Sequence, residues 1–197
     1  MLLRLIFSYK IYNETHIFSL QLLEHDRISL IRFTEEFETV YIRYSDKIYR
    51  YLYFQTKDPY LSEDITAEVF LKAWKKWETF KKDYIQALLF KIARNTLVDH
   101  WRKNNKKKES SLETKIEEGA EPFYDEDFIG KMQSDENVKD VNNALQLLPK
   151  NLKEVAILRF IEDMSAKEAG EILNISEGNV RVLQYRALIK LKEIFKK

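Results

Sequence analysis

Glu177, Gly178, Asn179, Arg181, Val182, Tyr185 and Arg186 stand close together near the end of the chain. Amide and guanidinium groups at this density make hydrogen bonds to base edges and phosphates, while an exposed valine or tyrosine offers apolar contact to a base. None of these groups makes or breaks bonds by itself, so the chemistry on offer is recognition. On a period of 3.6 residues Gly178, Arg181, Val182, Tyr185 and Arg186 share one side of a helix, and Val180, Leu183, Ala187, Leu191 and Ile194 share the other. One side packs and the other is free to enter a groove.

Two short helices and a tight turn must position that side. Ser165 is a good N-cap, and Glu168 three residues on can reach back to it as a capping box, so a helix is expected to begin near Ala166. Ala169, Ile172 and Leu173 give this helix an apolar side. Gly170 lets a second helix come close, and Asn174 tolerates the left-handed conformation that ends it. Ser176 then caps the next helix, with Glu177 in its first turn where the helix dipole favours a carboxylate. The pattern predicts a helix-turn-helix preceded by a helical run from Leu148-Pro149 to Glu162. A packed helical hairpin would share the bare pattern. The small residues at the turn and the cationic end formed by Arg181, Arg186, Lys190, Lys192, Lys196 and Lys197 point instead to duplex DNA.

Composition narrows the remaining chemistry. The 197 residues are 45% hydrophobic, enough for one domain or two small ones, and the abundance of Lys, Glu, Leu, Ile and Tyr with only four Gly and three Pro suits an all-α protein. With no Cys there is neither a disulfide framework nor a thiolate metal site, and three scattered His residues form no metal-binding spacing. No phosphate-cradling glycine loop occurs. The sequence therefore predicts no catalytic residues, no metal, no cofactor and no small-molecule substrate.

The net charge of +1 hides a strong segregation. Between 91 and 108 lie Lys91, Arg94, Arg102, Lys103, Lys106, Lys107 and Lys108 against the single anion Asp99. Between 109 and 136 ten acidic residues face only Lys115 and Lys131, with Gly119, Pro122 and Gly130 interspersed. This acidic block, 106–137 with its flanks, reads as a flexible linker between two small helical domains, 30–105 and 138–197. In the first domain Phe33, Phe37, Val40, Tyr41, Tyr44, Ile48, Tyr51 and Leu52 recur at threes and fours until Lys57-Asp58-Pro59 breaks the pattern. A second helix carries Ile65, Val69, Ala73 and Trp77 on one stripe, with Phe70 and Trp74 beside it. In a third, Leu89, Ile92, Ala93, Thr96, Leu97 and His100 are expected to face the core. Lys91, Arg94, Asn95, Val98 and Arg102 take the opposite side, next to Trp101. Cations beside aromatics suit nucleic acid, because cations neutralise phosphates and ring faces stack on unpaired bases.

The order of these motifs, Ser62 to Trp74 (SEDITAEVFLKAW), Leu89 to Asn95 (LFKIARN), Asp99 to Lys103 (DHWRK), a linker, and Leu148 through Leu191, resembles the extracytoplasmic-function class of bacterial RNA polymerase sigma factors. The resemblance spans about residues 30 to 105 and 138 to 195. It implies that Asp64, Glu68, Phe70 and Leu71 bind the clamp of core RNA polymerase. It implies that Lys91, Arg94, Asn95, Trp101, Arg102 and Lys103 hold the minus-10 element of promoter DNA. The loop of Glu78, Thr79, Phe80, Lys81, Lys82 and Asp83 would receive a base flipped from the non-template strand. Glu177, Gly178, Asn179, Arg181, Val182, Tyr185 and Arg186 would read the minus-35 element in the major groove. It also implies an anti-sigma factor partner and a cytoplasmic location. The chain departs from the family pattern at Ala67, Leu88, Leu183-Gln184 and Leu188-Ile189, the last two pairs lying on the recognition helix.

Residues 1–29 lie outside the resemblance. Leu2 to Phe7 is too short for a membrane span and lacks a small-residue cleavage pattern, so no stable membrane insertion is expected; the segment reads as an extension of unassigned role or the product of a start codon placed too early. Two other classes of protein are weighed by the same features. A stand-alone helix-turn-helix regulator should dimerise on a palindrome. An enzyme acting on nucleic acid needs a metal or nucleophile cluster, which the sequence does not offer.

Overall fold

A computed structural model describes residues 24–80, 84–110 and 135–196, with side chains from Glu35 onward and up to Asn104 in the first part. Every regular element among these residues is helical. The bulk of the acidic segment and residues 1–23 lie outside them.

Helix α1, Glu24–Thr56, runs for 33 residues because no glycine or proline interrupts it. The boundary expected at 29/30 therefore falls inside a continuous helix. Its end is set by three consecutive residues. Lys57 takes a left-handed φ of 59°, Asp58 is the N-cap whose carboxylate accepts from Leu61 N at 3.1 Å, and Pro59 opens α2 (Pro59–Lys75) with its φ already helical. A 3₁₀ turn, Trp77–Thr79, leads toward α3, Ile85–Ser110. This helix extends five residues past the expected boundary at 105, since Asn104 to Ser110 contains no glycine or proline to break it.

The core of this half is aromatic. Phe37 on α1 meets Phe70, Trp74 and Trp77 edge-on at ring-centroid distances of 6.4, 4.9 and 5.0 Å, and Tyr51 meets Phe90 of α3 at 5.3 Å. Ile65, Val69, Ala73 and Trp77 are buried as the stripe predicts, and so are Leu89, Ala93, Thr96 and Leu97. His100, expected to pack inward, is only partly buried, and its Nε2 lies 2.8 Å from Asn104 Nδ2 one turn on. The stripe runs past the end of the core at that point.

The second half begins with α4, Glu136–Gln146, capped by Asp135, whose side chain accepts from Asn137 N at 2.8 Å. Helix α5, Lys150–Ala156, continues into a π-helical turn, Ile157–Ile161, which the sequence pattern did not predict; Asp163 then takes a left-handed φ of 51°. Helices α6 (Ala166–Leu173) and α7 (Glu177–Ile194) form the helix-turn-helix.

The caps are those expected. Ser165 Oγ accepts from Glu168 N at 3.1 Å and Ser165 N donates to Glu168 Oε2 at 2.8 Å, a closed capping box. The side chain and backbone of Ser165 hold the Glu168 carboxyl below the ordinary carboxylate range. The charged form is thus favoured by folding, so its contribution is complete above the unfolded value of about 4.3 and is lost as pH falls through the lowered folded value. Glu168→Gln is expected to flatten the acid limb of stability below about pH 4.3, measured by urea unfolding across pH. Ser165→Ala should cost about 1 kcal/mol at neutral pH.

The two halves are not merely tethered. Helix α3 packs on α6, and α1 packs on α4 and on the π-helical turn.

Candidate nucleic-acid interface

Helix α7 buries Val180, Leu183 and Ala187 and leaves Glu177, Gly178, Asn179, Arg181, Val182, Tyr185 and Arg186 exposed. All seven residues expected on the reading face lie there together. Ser176 Oγ accepts from Asn179 N at 3.2 Å, which starts the helix with its amide end facing outward. Arg181 is paired with Glu177 one turn back, so its guanidinium is held along the helix surface, while Arg159 donates to Gln184 at 2.9 Å from behind. The face is less polar than a cationic groove-binder's usually is. Tyr185 is 67% exposed, and Val182, Leu188 and Ile189 extend its apolar strip.

The turn is built around two residues. Asn174 sits in the left-handed region (φ 56°, ψ 44°), and a Cβ on Gly170 would stand 2.7 Å from the Ile175 carbonyl oxygen. Gly178 differs. A Cβ there would meet nothing within 4 Å, so the fold itself gives no steric reason for glycine at this position.

On α3, Lys91, Asn95, Arg102 and Lys103 are exposed, with Arg102 held 3.2 Å from Asp99. Arg94 does not join them. Its side chain turns toward the other half of the molecule, where Nη2 lies 3.5 Å from Glu154 Oε2. Trp101 is partly buried, and Lys150 stands over its ring at 4.8 Å. Thr79 is exposed and Phe80 packs partly against the core; Lys81, Lys82, Asp83 and the side chain of Glu78 lie outside the described residues.

On α2, Asp64, Glu68 and Leu71 share an exposed stripe, with Glu68 paired to Lys72 at 2.8 Å. Phe70 is a correction to the expected partner-binding set. It is fully buried against Phe37 and Tyr41, because one residue of helix turns a side chain by about 100° away from the Leu71 stripe. Tyr60, 57% exposed, joins Asp64 and Leu71 on that stripe. Its only signal in the sequence is its spacing of four and eleven residues.

A second group of residues was not legible in the sequence. Arg50 Nε and Nη2 each donate at 2.9 Å to the two oxygens of Glu162, 112 positions away, and the Glu162 side chain is fully enclosed. Burial pushes the Glu162 carboxyl up while Arg50 pulls it down, and the hydrogen bonds from Arg50 raise the guanidinium in turn. Among the described residues no group of three or more His, Asp or Glu could hold a metal ion.

A helical module bearing a cationic face is thus followed by a helix-turn-helix, the arrangement of a two-part helical protein with two exposed polar faces. Residues 40–107 match Sigma-70 region 2 and residues 144–193 match Sigma-70 region 4. The chain is 30% identical to the ECF RNA polymerase sigma factor SigW of Bacillus subtilis, covering 76% of this chain and 83% of that one. It is 29% identical to SigM of the same organism, over 80% of this chain and 94% of that one. The fold is shared with the sigma factor RpoE of Bartonella quintana, solved with the anti-sigma factor NepR, at a TM-score of 0.67 and 22% identity over 82% of this chain and 98% of that one. The chain belongs to the ECF RNA polymerase sigma factors. It directs the polymerase to specific promoters and acts at the initiation of transcription.

Proposed function

We propose that α7 reads the minus-35 element and α3 holds the minus-10 element. The observation that carries this is the division of α7 into a buried face and an outward face on which all seven candidate readers stand. Asn179 and Arg186 offer hydrogen bonds to base edges or phosphates, and Val182 and Tyr185 offer apolar contact to thymine methyls. Lys91, Asn95, Arg102 and Lys103 track the minus-10 backbone, joined by Arg94 and Trp101 once these are uncovered. A base captured near Phe80, Lys81 and Lys82 offsets the few kcal/mol of unstacking by contacts of about 1 to 3 kcal/mol, so melting proceeds by capture and without catalysis by this chain. Tyr60, Asp64, Glu68 and Leu71 form the surface for core polymerase, with Phe70 setting their angle from beneath. The division into 30–105, an acidic linker and 138–197 serves this two-site grip, in the cytoplasm, under control of an anti-sigma factor and with no metal or cofactor.

Transcription in vitro with purified core polymerase, with mapping of transcript starts, tests the reading. The chain should confer defined starts. Asp64→Arg with Glu68→Arg should abolish capture of the polymerase in a pull-down while leaving circular dichroism unchanged; retained capture removes the role of α2. Arg181→Ala should weaken promoters selectively, and Lys103→Ala should weaken all of them and lower the salt slope by about one. Gly178→Ala should raise thermal stability by up to about 1 kcal/mol, since the new methyl meets nothing in the fold, yet lower promoter affinity by crowding the groove. Unchanged promoter affinity in that variant would place the backbone of Gly178 away from DNA.

A further inference from the structure

We infer that this chain selects its minus-35 elements through the C5 methyl groups of thymine, read by an apolar line of Gly178, Val182, Tyr185 and Ile189 along α7. The inference rests on the proposed role of α7 and names the class of element it takes. At about 100° per residue these four positions fall within about 60° of one another. Val182, Tyr185 and Ile189 are exposed, and a Cβ on Gly178 would meet nothing within 4 Å. The polar side chains stand to either side of the line. Arg181 lies about 60° round the helix from Gly178 and is tied to Glu177, while Asn179 and Arg186 lie about 80 to 100° round it the other way. Gln184, behind them, accepts from Arg159 at 2.9 Å.

The size of the groove gives this line its weight. A helix about 10 to 12 Å across nearly fills a major groove about 12 Å wide, so the side chains on one line meet the floor and those well round the helix lie nearer a phosphate wall. Asn179 and Arg186 are of the second kind, and Arg181 borders the line. What the line itself offers the floor is hydrocarbon. The only apolar group that a base pair presents there is the thymine methyl, since cytosine carries a hydrogen at the same carbon. Gly178 has a part in this, because a residue without a Cβ leaves a recess one turn before Val182 where a methyl can come against the backbone. Covering a methyl is worth roughly fourfold in affinity, and a pair without one leaves Val182 and Tyr185 against a bare polar edge.

Uracil in place of thymine isolates the methyl, because the two bases make the same hydrogen bonds. A promoter library randomised over the minus-35 and minus-10 regions, transcribed by the full chain with core polymerase, should return a minus-35 element with thymines on one strand or the other. Remade with deoxyuridine at those thymines, the element should bind the holoenzyme about fourfold more weakly for each methyl that the line reads. Val182→Ala and Tyr185→Ser, both at exposed positions where the fold makes no demand, should bind the thymine element more weakly and lose the preference over uracil at the base each one faces. Tyr185→Phe keeps the ring and should distinguish the two bases as the parent does. Uracil equal to thymine at every position overturns methyl reading and leaves α7 as the minus-35 helix. A preferred element without thymine on either strand does the same, and so does a uracil penalty that persists unchanged in both Val182→Ala and Tyr185→Ser. A selection that returns no preference at all in the minus-35 region overturns the role of α7 itself.

Discussion

Phe70→Ala should lower the stability of the N-terminal half by about 3 to 5 kcal/mol, a large part of the 5 to 15 kcal/mol that ordinarily holds a domain folded. The ring is wholly buried between α1 and α2, with Phe37 at 6.4 Å and Tyr41 at 4.8 Å, both edge-on. Truncation removes the transfer energy of a phenyl ring and two aromatic contacts, and it leaves a cavity beside Phe37, whose ring already packs on Trp74 and Trp77. Leu71→Ala on the neighbouring stripe should cost about 1 kcal/mol or less, since its side chain is partly in water. Urea unfolding of both variants, followed by tryptophan fluorescence, separates the two positions. Equal losses would mean that α2 does not present the face described above.

Gly170→Ala should damage the helix-turn-helix despite the better helix propensity of alanine. The exchange gains about 1 kcal/mol in an ordinary helix. Here the new methyl would stand 2.7 Å from the Ile175 carbonyl oxygen, which is backbone and cannot rotate aside. The turn must move, yet it is tied to Gly170 itself, whose carbonyl accepts from Ile175 N at 3.0 Å and from Asn174 N. Overpacking of this kind costs about 1 to 3 kcal/mol, which exceeds the propensity gain. Promoter affinity should fall further than stability does, because the angle between α6 and α7 aims the reading face. A variant that melts higher than the parent and still uses its promoters would show that the turn relaxes freely.

The helix-turn-helix was legible because its determinants are local. Ser165, Glu168, Asn174 and Ser176 act on backbone groups within a few residues of themselves, and the 3.6-residue period places Val180, Leu183 and Ala187 inward whatever they pack against. The same is true of the break at Lys57-Asp58-Pro59. Helix ends were less legible where no breaker stands, as at Glu24 and Ser110, since the resemblance to a family marks motifs and not helix termini.

By itself, then, the sequence determined the all-helical class, the two modules, the family and the outward face of α7, all of which follow from spacing along one chain. Tertiary structure alone decided that Phe70 belongs to the core, that Arg94 and Trp101 face the other half, and that Arg50 meets Glu162. Each of these depends on which helix lies alongside, and a pair 112 positions apart leaves no periodic trace. The π-helical turn belongs with them, since it shifts the phase of the chain between Ile157 and Glu162, and Glu162 then stands enclosed against Arg50. Periodicity assigns a side chain to a face, but only the packed neighbours decide whether that face meets water, a partner or the rest of the same molecule.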